Sequence, residues 1–240
     1  MDRNEAVLRE LNLYPLWQRR GAPMQTSTAT TVGAIHELPL HWPELKQRVR
    51  DCTACKLRAG CTQTVFGVGD EQAEWLFVGE GPGADEDARG EPFVGQAGKL
   101  LDNMLLAIKL RRGENVYIAN IVKCHPPVDE SGKQLPPKPD EIATCLPYLQ
   151  RQIELIKPRL IVALGKTAAT ALLGKDATLG SLRGTLHDYH GIPLLVTYHP
   201  AYLLRSLGDK AKAWTDLCFA VDTMKDLQTG APAPTLYENV

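Results

Sequence analysis

Residues 159–173 read RLIVALGKTAATALL. A short, nearly continuous apolar run, RLIVAL, meets Gly165, and an alanine-rich helical run follows with no loop between them. An apolar run of that length, stopped by a turn residue, is the pattern of a strand buried on both faces. A strand that passes straight into a helix is half of a β-α-β unit, the unit of a parallel sheet covered by helices. The same pattern recurs on either side. AEWLFVG (73–79), NVYIAN (115–120) and IPLLVTY (192–198) read as further strands. Helices fit 43–52, 95–110, a segment within 139–157, 166–173 and 209–227. The expected fold is α/β, a three-layer αβα arrangement around a mostly parallel four-stranded central sheet.

The chain has 240 residues, enough for one such domain and a short appendage. Residues 1–20 fit a short amphipathic helix with Leu8, Leu11, Leu16 and Trp17 on one side. Residues 21–40, GAPMQTSTATTVGAIHELPL, are dominated by small polar residues and proline and read as a flexible linker. The compact domain is expected over 41–230, with a disordered tail at 231–240. Lys and Arg number 27 against 28 Asp and Glu, a net charge of -1. That balance excludes a broadly basic, histone-like binder but leaves room for a local basic patch on a nucleic-acid partner. No apolar run approaches the ~18 residues of a membrane span. The N-terminal MDRNEAVLRE lacks the apolar core of a signal peptide, so a cytoplasmic protein is expected.

In an open α/β sheet, ligands bind beyond the carboxyl ends of the strands. The four strands end at Gly79-Glu80-Gly81-Pro82-Gly83, at Asn120, at Gly165 and at His199-Pro200. A carboxylate, a carboxamide, a helix N-terminus and an imidazole should therefore share one rim. GEGPGA (79–84) formally matches a relaxed dinucleotide fingerprint. That fingerprint needs a helix to open at once on a pyrophosphate. The run that follows carries Pro92 and three glycines, and Asp85, Glu86 and Asp87 would repel a pyrophosphate. The second strand ends in Asn120 where an acidic residue would be needed. A dinucleotide-dependent oxidoreductase is thus disfavoured. Glycines chosen only for backbone shape would not explain a carboxylate set inside the turn.

Cysteines stand at 52, 55, 61, 124, 145 and 218. In a reducing compartment they are seldom disulfides. Cys52, Cys55, Cys124 and Cys145 give the spacing C-x2-C-x68-C-x20-C. Four thiolates can hold an iron–sulfur cluster or a tetrahedral zinc, and the spacing alone leaves both open, as it leaves simple burial. Cys61 reads as a bystander, and Cys218 as a core residue of the last helix.

Taken together, Cys52-Thr-Ala-Cys55, TVFGVGD (64–70), GEGPGADED (79–87), GEPFVGQAGKLLD (90–102), YIANIVKCHPP (117–127), ALGKTAA (163–169), LRGTLH (182–187) and TYHPAYLLR (197–205) resemble the family 4 uracil-DNA glycosylases, iron–sulfur enzymes of bacteria and archaea. The resemblance runs over about 45–225 in the family's order. It implies a DNA repair glycosylase that flips uracil out of DNA, hydrolyses its N-glycosidic bond and leaves an abasic site. It also implies a [4Fe-4S] cluster on Cys52, Cys55, Cys124 and Cys145, and decides for the cluster over zinc.

Such chemistry needs a stacking platform, an edge reader, an anion stabiliser and support for a cationic sugar. Phe93 is the expected platform and Asn120 the reader, since a carboxamide both donates and accepts. His199, as a neutral imidazole, would donate to uracil O2. Glu80 would orient water, stabilise the oxocarbenium ion or hold the pocket loop. Gly79 and Gly81 flank it as substrate-binding residues. Glu86 is expected to wall off C5 and reject thymine. Leu203, Leu204 and Arg205 are expected to wedge or brace the DNA strand, and Arg183 to contact phosphate. The run 151–183 has six Lys or Arg against two Asp or Glu, a candidate basic stripe.

His125 departs from the family's usual Arg after the third cysteine. A sister branch traps the abasic sugar with a histidine from a Lys-Arg-Arg-Ile-His loop, and no such loop exists here. His125 is therefore read as a cluster neighbour or phosphate contact rather than a nucleophile. The expected partner is uracil-containing DNA, single- or double-stranded, bound by a monomer. The competing class is a non-catalytic nucleic-acid binding module with a structural metal.

Overall fold

A computed structural model of the chain describes residues 40–230. The helix and linker expected over 1–39 and the tail expected over 231–240 lie outside the described residues. The described elements are, in order, α1 (Trp42–Arg50), α2 (Leu57–Gly60), β1 (Val68–Gly69), β2 (Trp75–Gly79), α3 (Ala84–Arg89), α4 (Gln96–Ala107), β3 (Val116–Asn120), α5 (Pro139–Ile156), β4 (Leu160–Leu164), α6 (Lys166–Leu173), α7 (Leu179–Leu182), β5 (His187–Tyr189), β6 (Ile192–Thr197), α8 (Pro200–Leu203), a 3-10 turn (Leu207–Asp209) and α9 (Lys210–Thr229).

The sheet order is β1-β3-β2-β4-β6-β5. The four expected strands, β3, β2, β4 and β6, are parallel neighbours at its centre. Two antiparallel edge strands, β1 and β5, extend the expected four-stranded sheet to six. They are 2 and 3 residues long, too short to show a period in the sequence.

Every residue of β2, β3 and β4 is buried, because helices cover both faces. Leu76, Val78, Ile161, Ala163, Leu194 and Val196 point to one core, shared with α1, α5 and α6. Phe77, Val162, Leu164 and Leu195 point to the other, shared with α4 and α9. That period-2 division is what makes three layers. Burying each such aliphatic side chain contributes ~1.5–3 kcal/mol. Cys218 is only partly buried on α9, not the core residue expected.

The glycine turn after β2 also departs from expectation, because a helix does open there. Gly83 is the N-cap of α3, and the Glu86 carboxylate accepts its N–H at 2.8 Å. Asp85, Glu86 and Asp87, read as hostile to phosphate, are favourable in a helix's first turn. They still leave that N-terminus filled by its own acids. Gly165, between β4 and α6, has φ +93, and a Cβ there would lie 3.0 Å from His199 Cβ. Only glycine lets this turn close against the histidine.

Candidate active site

The strand ends open into a cavity of about 890 Å3, lined by Glu80, Gly81, Glu86, Phe93, Asn120, Thr167 and His199 at its base. Gly79 lies directly behind it. A Cβ on Gly79 would lie 2.4 Å from Asn120 Oδ1 and 2.5 Å from Phe93 Cζ. Asn120 and Phe93 can both approach there only because residue 79 has no side chain.

Phe93 adopts φ +55, unusual for a bulky residue. Its backbone is fixed from both sides. Arg112 donates to the Pro92 and Phe93 carbonyls at 2.8 and 2.7 Å, and Glu86 accepts from the Val94 and Gly95 amides at 3.1 and 3.2 Å. Glu86 is therefore a staple of the 83–95 loop, its oxygens accepting from three backbone amides, while its side chain also lines the cavity. The Phe93 ring stands 5.6 Å from that of His199, tilted by 32°.

Asn120 is 2% exposed. Its Oδ1 is a buried acceptor with no partner. Leaving such a group unsatisfied costs about 1–3 kcal/mol, and a bound N–H would recover it. The Asn120 backbone is held from below, where the buried Lys123 Nζ donates to its carbonyl at 2.9 Å and to Gln152 Oε1 at 2.7 Å.

The Ala201 amide donates to His199 Nδ1 at 3.2 Å. An accepting Nδ1 leaves the proton of the neutral ring on Nε2. Burial, assisted by the Arg205 cation, pushes the imidazole down to about 4, so it is neutral at physiological pH. Glu80 accepts a very short hydrogen bond from the Thr167 hydroxyl, in the first turn of α6. Thr167 was not singled out in the sequence, although the rim rule that found Gly165 reaches it.

The outer wall comes from a hairpin over 127–136, closed by a Val128–Gln134 bridge. Asp129 organises it by accepting from the Ser131 amide and hydroxyl and the Lys133 amide, at 2.9, 2.6 and 3.0 Å. His125 lies outside the cavity, its Nδ1 donating to the Pro82 carbonyl at 2.8 Å. That disposition suits a brace of the glycine turn and not a nucleophile.

Of the four expected DNA contacts, two are engaged elsewhere in the fold. Arg183 is bound to Asp216 at 2.7 and 2.8 Å and lies 4.3 Å over the Tyr198 ring, so its guanidinium is not free for phosphate. Leu203 is 1% exposed and packs inward, which removes it as a wedge. Leu204 is 43% exposed, and Arg205 reaches the cavity rim. The expected basic stripe is largely neutralised. Arg151, Arg159, Lys166 and Arg183 pair with Glu154, Glu74, Asp176 and Asp216.

Cys52, Cys55, Cys124 and Cys145 line one small apolar cavity between α1, the loop after β3 and α5. Burial pushes the Cys145 thiol up to about 11, against the pull of Lys123, and raises Cys55 and Cys124 as well. The Lys123 amide donates to Cys145 Sγ at 3.2 Å. Cys61 stands beside Cys124 but does not line the cavity. Among the described residues, no three His, Cys, Asp or Glu side chains converge on one metal-ion position. Thiols spaced around a cavity suit a cluster, in which each thiolate takes a different iron.

A neutral histidine, a buried carboxamide, a carboxylate and an aromatic ring gather beyond the carboxyl ends of a parallel sheet, where α/β enzymes carry their active sites. The uracil DNA glycosylase superfamily model matches residues 66–218. The chain is 43% identical over 170 residues to a type-4 uracil-DNA glycosylase of Thermotoga maritima, covering 70% of this chain and 85% of the relative. It is 41% identical over 169 residues to one of Archaeoglobus fulgidus, covering 67% and 82%. It is 39% identical over 184 residues to one of Pyrobaculum aerophilum, covering 72% and 90%. The chain belongs to the type-4 uracil-DNA glycosylases of that superfamily.

Proposed function

We propose that the cavity takes a uracil flipped out of DNA and that Phe93, Asn120, His199 and Glu80 divide the work of excising it. The chain is a DNA repair glycosylase acting on uracil, a hydrolase of N-glycosyl bonds. Its chemistry leaves negative charge on the departing base and positive charge on the sugar. Phe93 stacks on the base. Asn120 Oδ1 accepts from N3–H while its amide donates to O4, a pattern cytosine reverses. His199 donates from Nε2–H to O2 as charge builds there. A neutral donor suits this better than a cation, since it polarises O2 without handing over a proton. Glu80, oriented by Thr167, faces the sugar side and either directs water or stabilises the oxocarbenium ion. Leu204 and Arg205 contact the strand outside.

Cys52, Cys55, Cys124 and Cys145 would hold a [4Fe-4S] cluster. When bound, it supplies iron–thiolate cross-links joining the 52–55 segment to the loop after β3 and to α5. Lys123 touches both regions, through its amide on Cys145 and its ammonium on the Asn120 carbonyl. The cysteine cavity is thereby coupled to the position of the reader. The same reading has the chain act as a monomer in the cytoplasm, on single- or double-stranded DNA.

The orphaned Asn120 acceptor beside Phe93 and His199 carries this reading. Single-turnover cleavage of uracil-containing single-stranded DNA tests it. His199→Ala should slow the step ~10²–10³-fold. An unchanged rate would remove His199 from the chemistry.

A further inference from the structure

Tyr202 lies three residues beyond His199, in the one-turn helix α8, and lines the same cavity. It is 39% exposed, one of the few large rings of the described residues open to solvent. It is also firmly held. Its ring stacks on Tyr198 at 5.4 Å and 10°, and its hydroxyl donates to Asp209 at 2.7 Å. Tyr198 in turn lies under the Arg183 guanidinium, 4.3 Å from the ring centre. Arg183 is locked by Asp216, whose carboxylate also accepts from the Thr197 hydroxyl at 2.6 Å. A chain of contacts thus runs from the end of β6 to an aromatic surface at the cavity mouth.

We propose that Tyr202 is a second nucleobase subsite, stacking the base next to the flipped uracil. A base drawn into the cavity leaves its neighbour unstacked at the mouth, and among the described lining residues Tyr202 is the exposed aromatic ring. Base–aromatic stacking tolerates any sequence, because every base has a π-face. A ring already fixed by stacking and a hydrogen bond loses little conformational freedom on binding. Arg205 and Lys133, which line the same cavity, offer cations to the strand's phosphates. Arg183, expected to contact phosphate directly, acts instead as a brace of this stack.

The test uses the full, iron-loaded chain. The probe is a single-stranded oligonucleotide carrying a non-cleavable 2′-fluoro deoxyuridine, with fluorescent 2-aminopurine placed on its 5′ or its 3′ side. Wild type and Tyr202→Phe should quench 2-aminopurine on one side. Tyr202→Leu, which keeps apolar bulk, and Tyr202→Ala should lose that quenching and weaken binding about 5- to 100-fold. On cleavable substrate the loss should fall on KM more than on kcat. Wild-type affinity in both Tyr202→Leu and Tyr202→Ala overturns the proposal. So does weakened binding with the quenching intact, which would make Tyr202 a wall and not a stacking surface.

Discussion

Asn120→Asp replaces the donor half of the proposed reader and leaves its shape unchanged. The backbone at 120 is fixed by strand pairing and by Lys123, so the new carboxylate should occupy the same place. One oxygen still meets N3–H. The other now faces uracil O4, acceptor against acceptor, in a site 2% exposed. Leaving one buried polar atom unpaired costs about 1–3 kcal/mol, which is about one to two decades in rate. The carboxylate can accept from the N4 amino group of cytosine, so discrimination against cytosine should narrow. Burial favours the neutral acid, and a protonated Asp regains a donor. The variant's uracil cleavage should therefore recover partly as pH is lowered. Single-turnover kinetics at neutral and mildly acid pH, with iron content and melting checked, measures this. Near-wild-type cleavage of uracil at neutral pH would mean that another group reads the base.

Gly79→Ala should push Asn120 and Phe93 apart, because its Cβ would sit 2.4 and 2.5 Å from them. Stability should fall by ~1–3 kcal/mol, read by denaturant unfolding, and cleavage by ~10²-fold or more, since small misplacements cost that much. Thr167→Val should slow cleavage ~10- to 100-fold by freeing Glu80, a hydrogen bond to a charged group contributing about 1.5–3 kcal/mol; Thr167→Ser, which keeps the hydroxyl, should restore it. Protein purified without oxygen should carry about four irons per chain. Cys124→Ala should lose iron and stability together, while Cys218→Ala, on the far side of the sheet, should keep its iron.

The central layer was plain in the sequence because buried parallel strands are continuous apolar runs, and β4 passes into α6 without a loop. The helix 166–173 matches the structure end to end. Edge strands β1 and β5 left no trace, since two or three residues cannot display a period. The rim gathered Glu80, Asn120 and His199 from strand ends alone, because parallel topology brings those ends together. What sequence could not convey was which side chains are already engaged. Arg183 looks available until Asp216, 33 residues later, is folded against it. Leu203 and Leu204 are chemically alike, and only the turn of α8 buries one and exposes the other. Glu86 shows its role only when the loop curls back to place three amides on its carboxylate. Thr167 and Arg112 act on residues far away in sequence, and no local pattern marks either.

The most direct measurement is of free base released by the full chain from three single-stranded oligonucleotides that differ at one position, bearing uracil, cytosine or thymine. Uracil should be released in a single turnover, with cytosine slower by at least the one to two decades of a mispaired bidentate contact, about 1–3 kcal/mol. Folded, iron-loaded protein that releases no uracil, or releases cytosine as readily, would contradict the assignment of this cavity to uracil excision.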